Sequence, residues 1–142
     1  MLCKEIMQRP VRWVSEYDSL GNAARIMRAE NIGFLPVTTA SGMFIGTLTD
    51  RDITVRAVAD EWSPGTHVAR AMTHETIRCS PEDDVARAEA LMRTHSKSRI
   101  VCTDAEGHIA GIISIADLAA SQDGARVGET FKQITAREAR HA

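Results

Sequence analysis

The sequence predicts a mixed α/β protein built from two copies of one β-α-β-β-α unit, followed by a short C-terminal helix. Three observations predict it. Laying Met72 over Met7, an offset of 65, aligns the two halves without a gap as far as Asp117. Within each half, apolar residues alternate between short strand-like runs and a helical stripe. A breaker-rich stretch, Asp60-Glu61-Trp62-Ser63-Pro64-Gly65, separates the copies. The expected organisation is a first repeat over 1–62, a second over 63–122, and a helix and tail over 123–142.

The repeat is identified first, because missing one misreads the whole fold. Ser15 meets Ser80, Asp18 meets Asp83, Ala23 meets Ala88, and Met27-Arg28 meets Met92-Arg93. Gly42 meets Gly107, Gly46 meets Gly111, and Asp52 meets Asp117. A match held through strands, turns and helices alike marks copies of one unit.

Residues 11–14 read as a short strand. Leu20, Ala23, Ala24 and Met27 then recur at i, i+3, i+4 and i+7, the apolar face of an amphipathic helix. Val85, Ala88, Leu91 and Met92 repeat it, and Ser80-Pro81 reads as that helix's start, an acceptor followed by a residue with no amide to satisfy. Residues 32–38 and 100–103 are apolar enough for buried strands. Each is followed by a polar turn ending in Gly42 or Gly107, where a hairpin needs a permissive backbone. Residues 44–48 and 109–113 return as strands, and helices start near Asp50 and Ile115. Val127, Phe131 and Ile134 lie at i, i+4 and i+7 of the terminal helix, before a charged, frayed tail over 136–142.

Composition excludes several function classes. A hydrophobic content of 44% and charged content of 25% fit a globular chain with an ordinary core. A net charge of −2 and few aromatics leave neither the basic face nor the stacking platform of a nucleic-acid binder. No apolar run approaches the ~18 residues of a membrane span, and residues 1–10 carry charges where a signal peptide is apolar. The cytoplasm is the expected location. Cys3, Cys79 and Cys102 are odd in number with no C-x-x-C pair, so free buried thiols are expected. His67, His74, His95, His108 and His141 show neither H-x-H nor H-E-x-x-H spacing, so no metal site is expected. Neither a P-loop, a dinucleotide fingerprint nor a nucleophile elbow occurs. Trp13 and Trp62 are isolated, and Trp62 is expected to cover the linker. No catalytic residue is assigned.

The chemistry lies at the strand-to-helix junctions. Gly46-Thr47-Leu48-Thr49-Asp50-Arg51-Asp52-Ile53 and Gly111-Ile112-Ile113-Ser114-Ile115-Ala116-Asp117-Leu118 share one pattern: Gly, two residues, Ser or Thr, two residues, Asp, an aliphatic. One reading is a capping box, with Thr49 or Ser114 capping the helix and Asp52 or Asp117 bonding back. The other surrounds a nucleotide: free amides and a hydroxyl for phosphate, and a carboxylate one turn on for the two ribose hydroxyls. Residues alone leave both open.

With the pattern present twice, the chain resembles the CBS motif family, found as tandem pairs in regulatory modules that bind AMP, ATP and related adenosyl ligands. The resemblance rests on Gly33-Phe34-Leu35-Pro36-Val37, Gly46 to Ile53, Lys97-Ser98-Arg99-Ile100-Val101 and Gly111 to Leu118, and covers residues 1–120. Thr-Asp-Arg-Asp-Ile is similar to small stand-alone bacterial two-motif proteins. The resemblance implies two units related by a pseudo-two-fold axis, with ligands in the cleft between repeats. Each site would take its ribose-binding Asp from one repeat and its base pocket from the other. The first would combine Thr49, Arg51 and Asp52 with Ile77, Lys97, Ser98 and Arg99, where Arg99 matches a phosphate-pairing position. The second would combine Ser114 and Asp117 with Arg12, Ile32 and Gly33. Phe34 stands there at Arg99's counterpart, so an adenosyl group is favoured over a phosphorylated one.

The expected function is sensing of an adenine nucleotide, with energy status as the signal, no required cofactor, no enzymatic activity and a regulated protein as the reader. The alternative is a ligand-free dimerisation or docking scaffold in which both Asp residues only cap helices. A homodimer is expected, because helix faces carrying Ala23, Ala24, Met27, Ala88 and Met92 leave apolar surface to cover.

Overall fold

The computed structural model describes residues 1–9, 11–75, 77–121 and 124–139. The chain divides into two compact units, one of Arg12–Thr76 and one of Met1–Val11 with Ile77–Ala142. These units do not follow the repeat boundaries read from the sequence. The N-terminal segment packs with the second repeat, where Gln8 bridges Ile112 and Leu2 bridges Asp84.

In the Arg12–Thr76 unit, β1 (Val14–Ser15) pairs in parallel with β2 (Phe34–Thr38), which turns antiparallel into β3 (Phe44–Thr49). The edge strand β4 (Thr73–His74) pairs with β3 and completes the order β1-β2-β3-β4. The first strand is shorter than the 11–14 expected and lies further along. Asp18 curtails it by folding back to accept from the Ser15 amide. Helix α2 (Leu20–Glu30) starts at Ser19, whose hydroxyl accepts from the Asn22 amide, and ends at Asn31 in the left-handed region. Its apolar stripe buries Leu20, Ala23 and Met27 against Leu35, Val37 and Leu48. Each fully buried Leu there contributes about 1.5–3 kcal/mol relative to exposure. After β3, α3 (Asp50–Asp52) runs into a π-helical stretch, Ile53–Val58. The linker closes over this unit: Trp62 packs against its core, with the Arg70 guanidinium 4.1 Å above the indole. A 3₁₀ turn over Val68–Arg70 leads into β4.

The other unit repeats the plan. A single-turn helix α1 (Cys3–Ile6) precedes β5 (Arg78–Cys79), α4 (Val85–Thr94), β6 (Arg99–Thr103), β7 (Ile109–Ser114) and α5 (Ile115–Ser121). β5 runs parallel to β6, and β6 antiparallel to β7. The hairpins of both units turn at glycines with positive φ, 93° at Gly42 and 89° at Gly107, a conformation that a Cβ disfavours. Close approach explains Gly46 and Gly111: a Cβ would stand 2.3 Å from the Thr73 carbonyl oxygen and 2.6 Å from the Met7 sulfur, respectively.

Two expectations are corrected. Ser80-Pro81 does not start α4, because Asp84 caps it by accepting from the Ala86 amide. Ser80 belongs to the preceding turn, its amide bonded to Asp83 as Ser15 is to Asp18. The terminal helix α6 (Gly124–Ala139) does not bury the expected stripe either. Ile134 is buried, but Phe131 is 51% exposed, and Val127's side chain lies outside the described residues. A polar clamp takes over. Glu89 of α4, 1% exposed, accepts from Arg126 and from the Thr130 hydroxyl at 2.7 Å. The helix also runs through most of the tail expected to fray; residues 140–142 lie outside the described set.

The three thiols are free and buried in one core, with Cys79 and Cys102 sulfurs 3.1 Å apart. Ala23, Met27, Ala88 and Met92 likewise sit in the cores of their own units, so these side chains are not open to a partner, whereas Ala24 is exposed. Among the described residues, no helix is long and apolar enough to cross a membrane.

Candidate functional site

Both junctions form capping boxes. In the first, the Asp52 amide donates to Thr49 Oγ1 at 3.1 Å, and the Thr49 amide donates to Asp52 Oδ2 at 3.0 Å. In the second, the Asp117 amide donates to Ser114 Oγ at 3.3 Å, and the Ser114 amide to Asp117 Oδ2 at 2.8 Å. The pattern Thr/Ser-x-x-Asp therefore starts each helix, as the spacing predicts.

Capping uses one carboxylate oxygen at each site. What happens to the other differs. Asp52 Oδ1 stands 3.8 Å from Arg56 Nη1, one turn along, and that nitrogen also donates to the carbonyls of Ala71 and Met72 and to Thr73 Oγ1. Asp117 Oδ1 accepts from Gln8 Nε2 at 2.9 Å, and the Ser114 hydroxyl donates to Asp117 Oδ2 at 2.9 Å. Thr49's hydroxyl, by contrast, takes part only as an acceptor among the described bonds. At the first junction the second carboxylate oxygen has only the long ion pair with Arg56, whereas at the second both oxygens are hydrogen-bonded.

Other predicted residues fall around these junctions within their own units. The Asp50 amide bonds the Gly33 carbonyl, and the Ile115 amide bonds that of Ser98, at 3.0 Å in both repeats. A Cβ on Gly33 would stand 2.7 Å from Asp50 Oδ2, so only glycine lets this carboxylate lie there. Arg51 is exposed beside it, its amide bonded to Asp50 Oδ1. Antiparallel register sets Phe34 opposite Thr49 and Arg99 opposite Ser114. Ile32 is 38% exposed, Lys97 is half-buried, and Ile77 packs against the core of its unit. Arg12 forms an ion pair with Glu30 at 3.1 Å. The two groupings implied by the resemblance draw on residues from both units. Within one unit the structure joins Thr49 with Asp52, and Ser114 with Asp117.

Gln8, Arg56 and Asp50 were missed as site residues. Arg56 was findable as the i+4 neighbour of Asp52. Gln8 lies 109 residues from Asp117 and carried no local signal.

Two strand-helix-strand-strand-helix units, each with an Asp-based junction at the same place, are the arrangement that decides the family. The family model described as the CBS domain matches residues 3–58 and 68–124. The chain belongs to the CBS domain family. CBS domain-containing protein YhcV of Bacillus subtilis is 33% identical over 119 residues, covering 84% of each chain. Hypoxic response protein 1 of Mycobacterium tuberculosis is 30% identical over 117 residues, covering 82% of this chain and 81% of that protein. The crystal structure of Hypoxic Response Protein I, with two coordinated zinc ions, superposes with a TM-score of 0.78 at 27% identity, over 87% of this chain and all of that one. The CBS domain pair of protein MJ0100, solved with 5′-methylthioadenosine and S-adenosyl-L-methionine, gives 0.72 at 24% identity, over 84% and 94% of the two chains, and attests to the fold.

Among the described residues, one CBS hairpin groups three potential ligands: Asp104, Glu106 and His108, all exposed, with ligand atoms within 4.8 Å of one another. Asp104 already caps the turn, accepting from the Glu106 and His108 amides.

Proposed function

We propose that this CBS pair is a regulatory module that binds an adenosyl compound, such as AMP or ATP, through Asp52 and Thr49, with occupancy rather than catalysis as its output. One observation carries the reading. The Thr49–Asp52 capping box uses Oδ2 alone, so Oδ1, which holds only a 3.8 Å ion pair with Arg56, and the Thr49 hydroxyl proton can meet a ribose diol without unmaking the cap. Capping and binding are therefore compatible at this junction. The adenosyl compounds held by the MJ0100 pair agree with this choice of ligand class.

Arg99 is proposed to attract the ligand's phosphate. Adenosine should then bind more weakly than AMP, added salt should shrink the gap, and Arg99→Ala should bring AMP down to adenosine. A 2′-deoxy sugar leaves the carboxylate partly unpaired and should be rejected strongly. Calorimetric titration with adenosine, 2′-deoxyadenosine and AMP tests this, alongside mass spectrometry of small molecules released from freshly purified, denatured protein. Equal affinity for all three would remove the assignment. The second reading, a ligand-free scaffold, is favoured by the internally satisfied Ser114–Asp117 junction. The proposed working form is a homodimer, and light scattering at tens of micromolar giving a monomer would exclude it.

A further inference from the structure

Gln8 and Asp117 form the contact that most separates the two repeats. Aligned at the repeat offset, Gln8 corresponds to Thr73, and Arg56 to Ser121. The first repeat thus has a short hydroxyl where the second has a long amide. Among the described bonds Thr73 Oγ1 accepts from Arg56, and none joins it to Asp52. Arg56 in turn stands 3.8 Å from Asp52 Oδ1, beyond hydrogen-bond reach.

Gln8 is held in place by its backbone. Its amide donates to the Ile112 carbonyl at 2.8 Å, and its carbonyl accepts from the Ile112 amide at 3.2 Å. That bridge sets Gln8 beside β7, whose C-terminal residue is Ser114. From there the side-chain amide reaches Asp117 Oδ1 at 2.9 Å. Because a carboxylate only accepts, the group facing it must be the NH₂. With Oδ2 taken by the Ser114 amide and hydroxyl, both oxygens of Asp117 are engaged within the unit.

We infer that Gln8 is a gating residue for the second junction: its amide occupies the position on Asp117 that a ribose hydroxyl would take, so a ligand binds there only by displacing it. The inference rests on the reading of these junctions as adenosyl sites. It makes the two repeats unequal by construction. Asp52 Oδ1 holds only a 3.8 Å ion pair with Arg56, whereas Asp117 must first give up a 2.9 Å charge-assisted hydrogen bond, a difference of about tenfold in affinity. The first junction fills first.

The test is calorimetric titration of adenosine, whose lack of phosphate removes charge effects, into the wild type, Gln8→Ala, Asp117→Ala and the double variant. Gln8→Asn, whose amide sits one methylene short, is the second variant should Gln8→Ala fail to fold. The backbone bridge to Ile112 survives both, so the melting temperature should barely move. Gln8→Ala should tighten the weaker, Asp117-dependent binding step about tenfold, and Asp117→Ala should abolish that gain in the double variant. Asp117-dependent binding that is unchanged or weakened by Gln8→Ala and Gln8→Asn overturns the gate and leaves the site reading standing. Binding that ignores Asp117 overturns the gate and leaves the adenosyl reading to the first junction, whereas no binding in any of the four proteins overturns both.

Discussion

Glu89 and Arg126 tie the C-terminal helix to α4 through a carboxylate that is 1% exposed, with Arg126 Nη2 2.6 Å from Glu89 Oε2 and Nε 3.3 Å from Oε1. The repeat counterpart of Glu89 is Ala24, so this clamp exists in one unit only. Burial pushes the Glu89 carboxyl up, but the Arg126 guanidinium and the Thr130 hydroxyl outweigh it and hold the group below its ordinary 4.5. A depressed acid stabilises the fold above its unfolded value, and that contribution is lost as pH falls through the folded value. Acid titration of the wild type should therefore show loss of stability beginning below about pH 4.5. Glu89→Gln should cost about 1–2 kcal/mol at pH 7, with the gap to wild type closing as the pH falls through the depressed folded value. Chemical denaturation at a series of pH values reads both, and a gap independent of pH would contradict the charged clamp.

Arg126→Ala addresses the same helix from the exposed side. It leaves Glu89 buried with Thr130 as its remaining described partner, at a cost of about 1–3 kcal/mol. Hydrogen exchange should localise the added opening to α6, with β6 and β7 still protected.

Arg56 is a structural donor before it is anything else. Its Nη1 serves two carbonyls and a hydroxyl on the chain leading into β4, fastening this edge strand to the π-helical stretch. Arg56→Ala should destabilise the Arg12–Thr76 unit by about 1–3 kcal/mol, and Arg56→Lys should recover only part of this, since an ammonium lacks the planar fork. Thermal melts of both variants provide the check.

The thiols should be inert in the folded protein. Burial, with Cys79 close by, pushes Cys3 up to about 12, and the Cys102 thiol and burial raise Cys79 well above the usual thiol range. A protonated, enclosed thiol is a poor nucleophile. Ellman's reagent at pH 8 should titrate no more than a small fraction of the three cysteines until denaturant is added. Rapid reaction of Cys79 or Cys102 without unfolding would contradict this burial.

The fold was legible because its signals are local and duplicated. Gly42 and Gly107 mark the hairpins by backbone chemistry alone, and of the helical stripe Leu20, Ala23 and Met27 are buried where the periodicity put them, while Ala24 is exposed. Local signals also explain the misreadings. Ser80-Pro81 has the composition of a helix start, yet Asp83 draws the Ser80 amide into a turn and leaves the cap to Asp84. Phe131 has helical spacing to Ile134, but the clamp at Glu89 decides which face of α6 is buried. The junction carboxylates were visible from spacing. What meets their second oxygens differs in legibility: Arg56 lies one turn on from Asp52, where i+4 spacing points to it, whereas Gln8 arrives from the far end of the chain by a β-bridge that no local pattern announces.

The most direct measurement pairs affinity with stability on one variant. If Asp52 both caps its helix and receives the ribose, Asp52→Ala should lose about 0.5–2 kcal/mol of unfolding free energy and also at least ~10-fold in affinity for AMP. Asp52→Asn, which retains a side-chain oxygen for the Thr49 amide, should recover stability more than affinity. Calorimetric AMP titration and urea denaturation of the three proteins supply both quantities. A loss of stability with AMP affinity unchanged would contradict the account and leave Asp52 a cap alone.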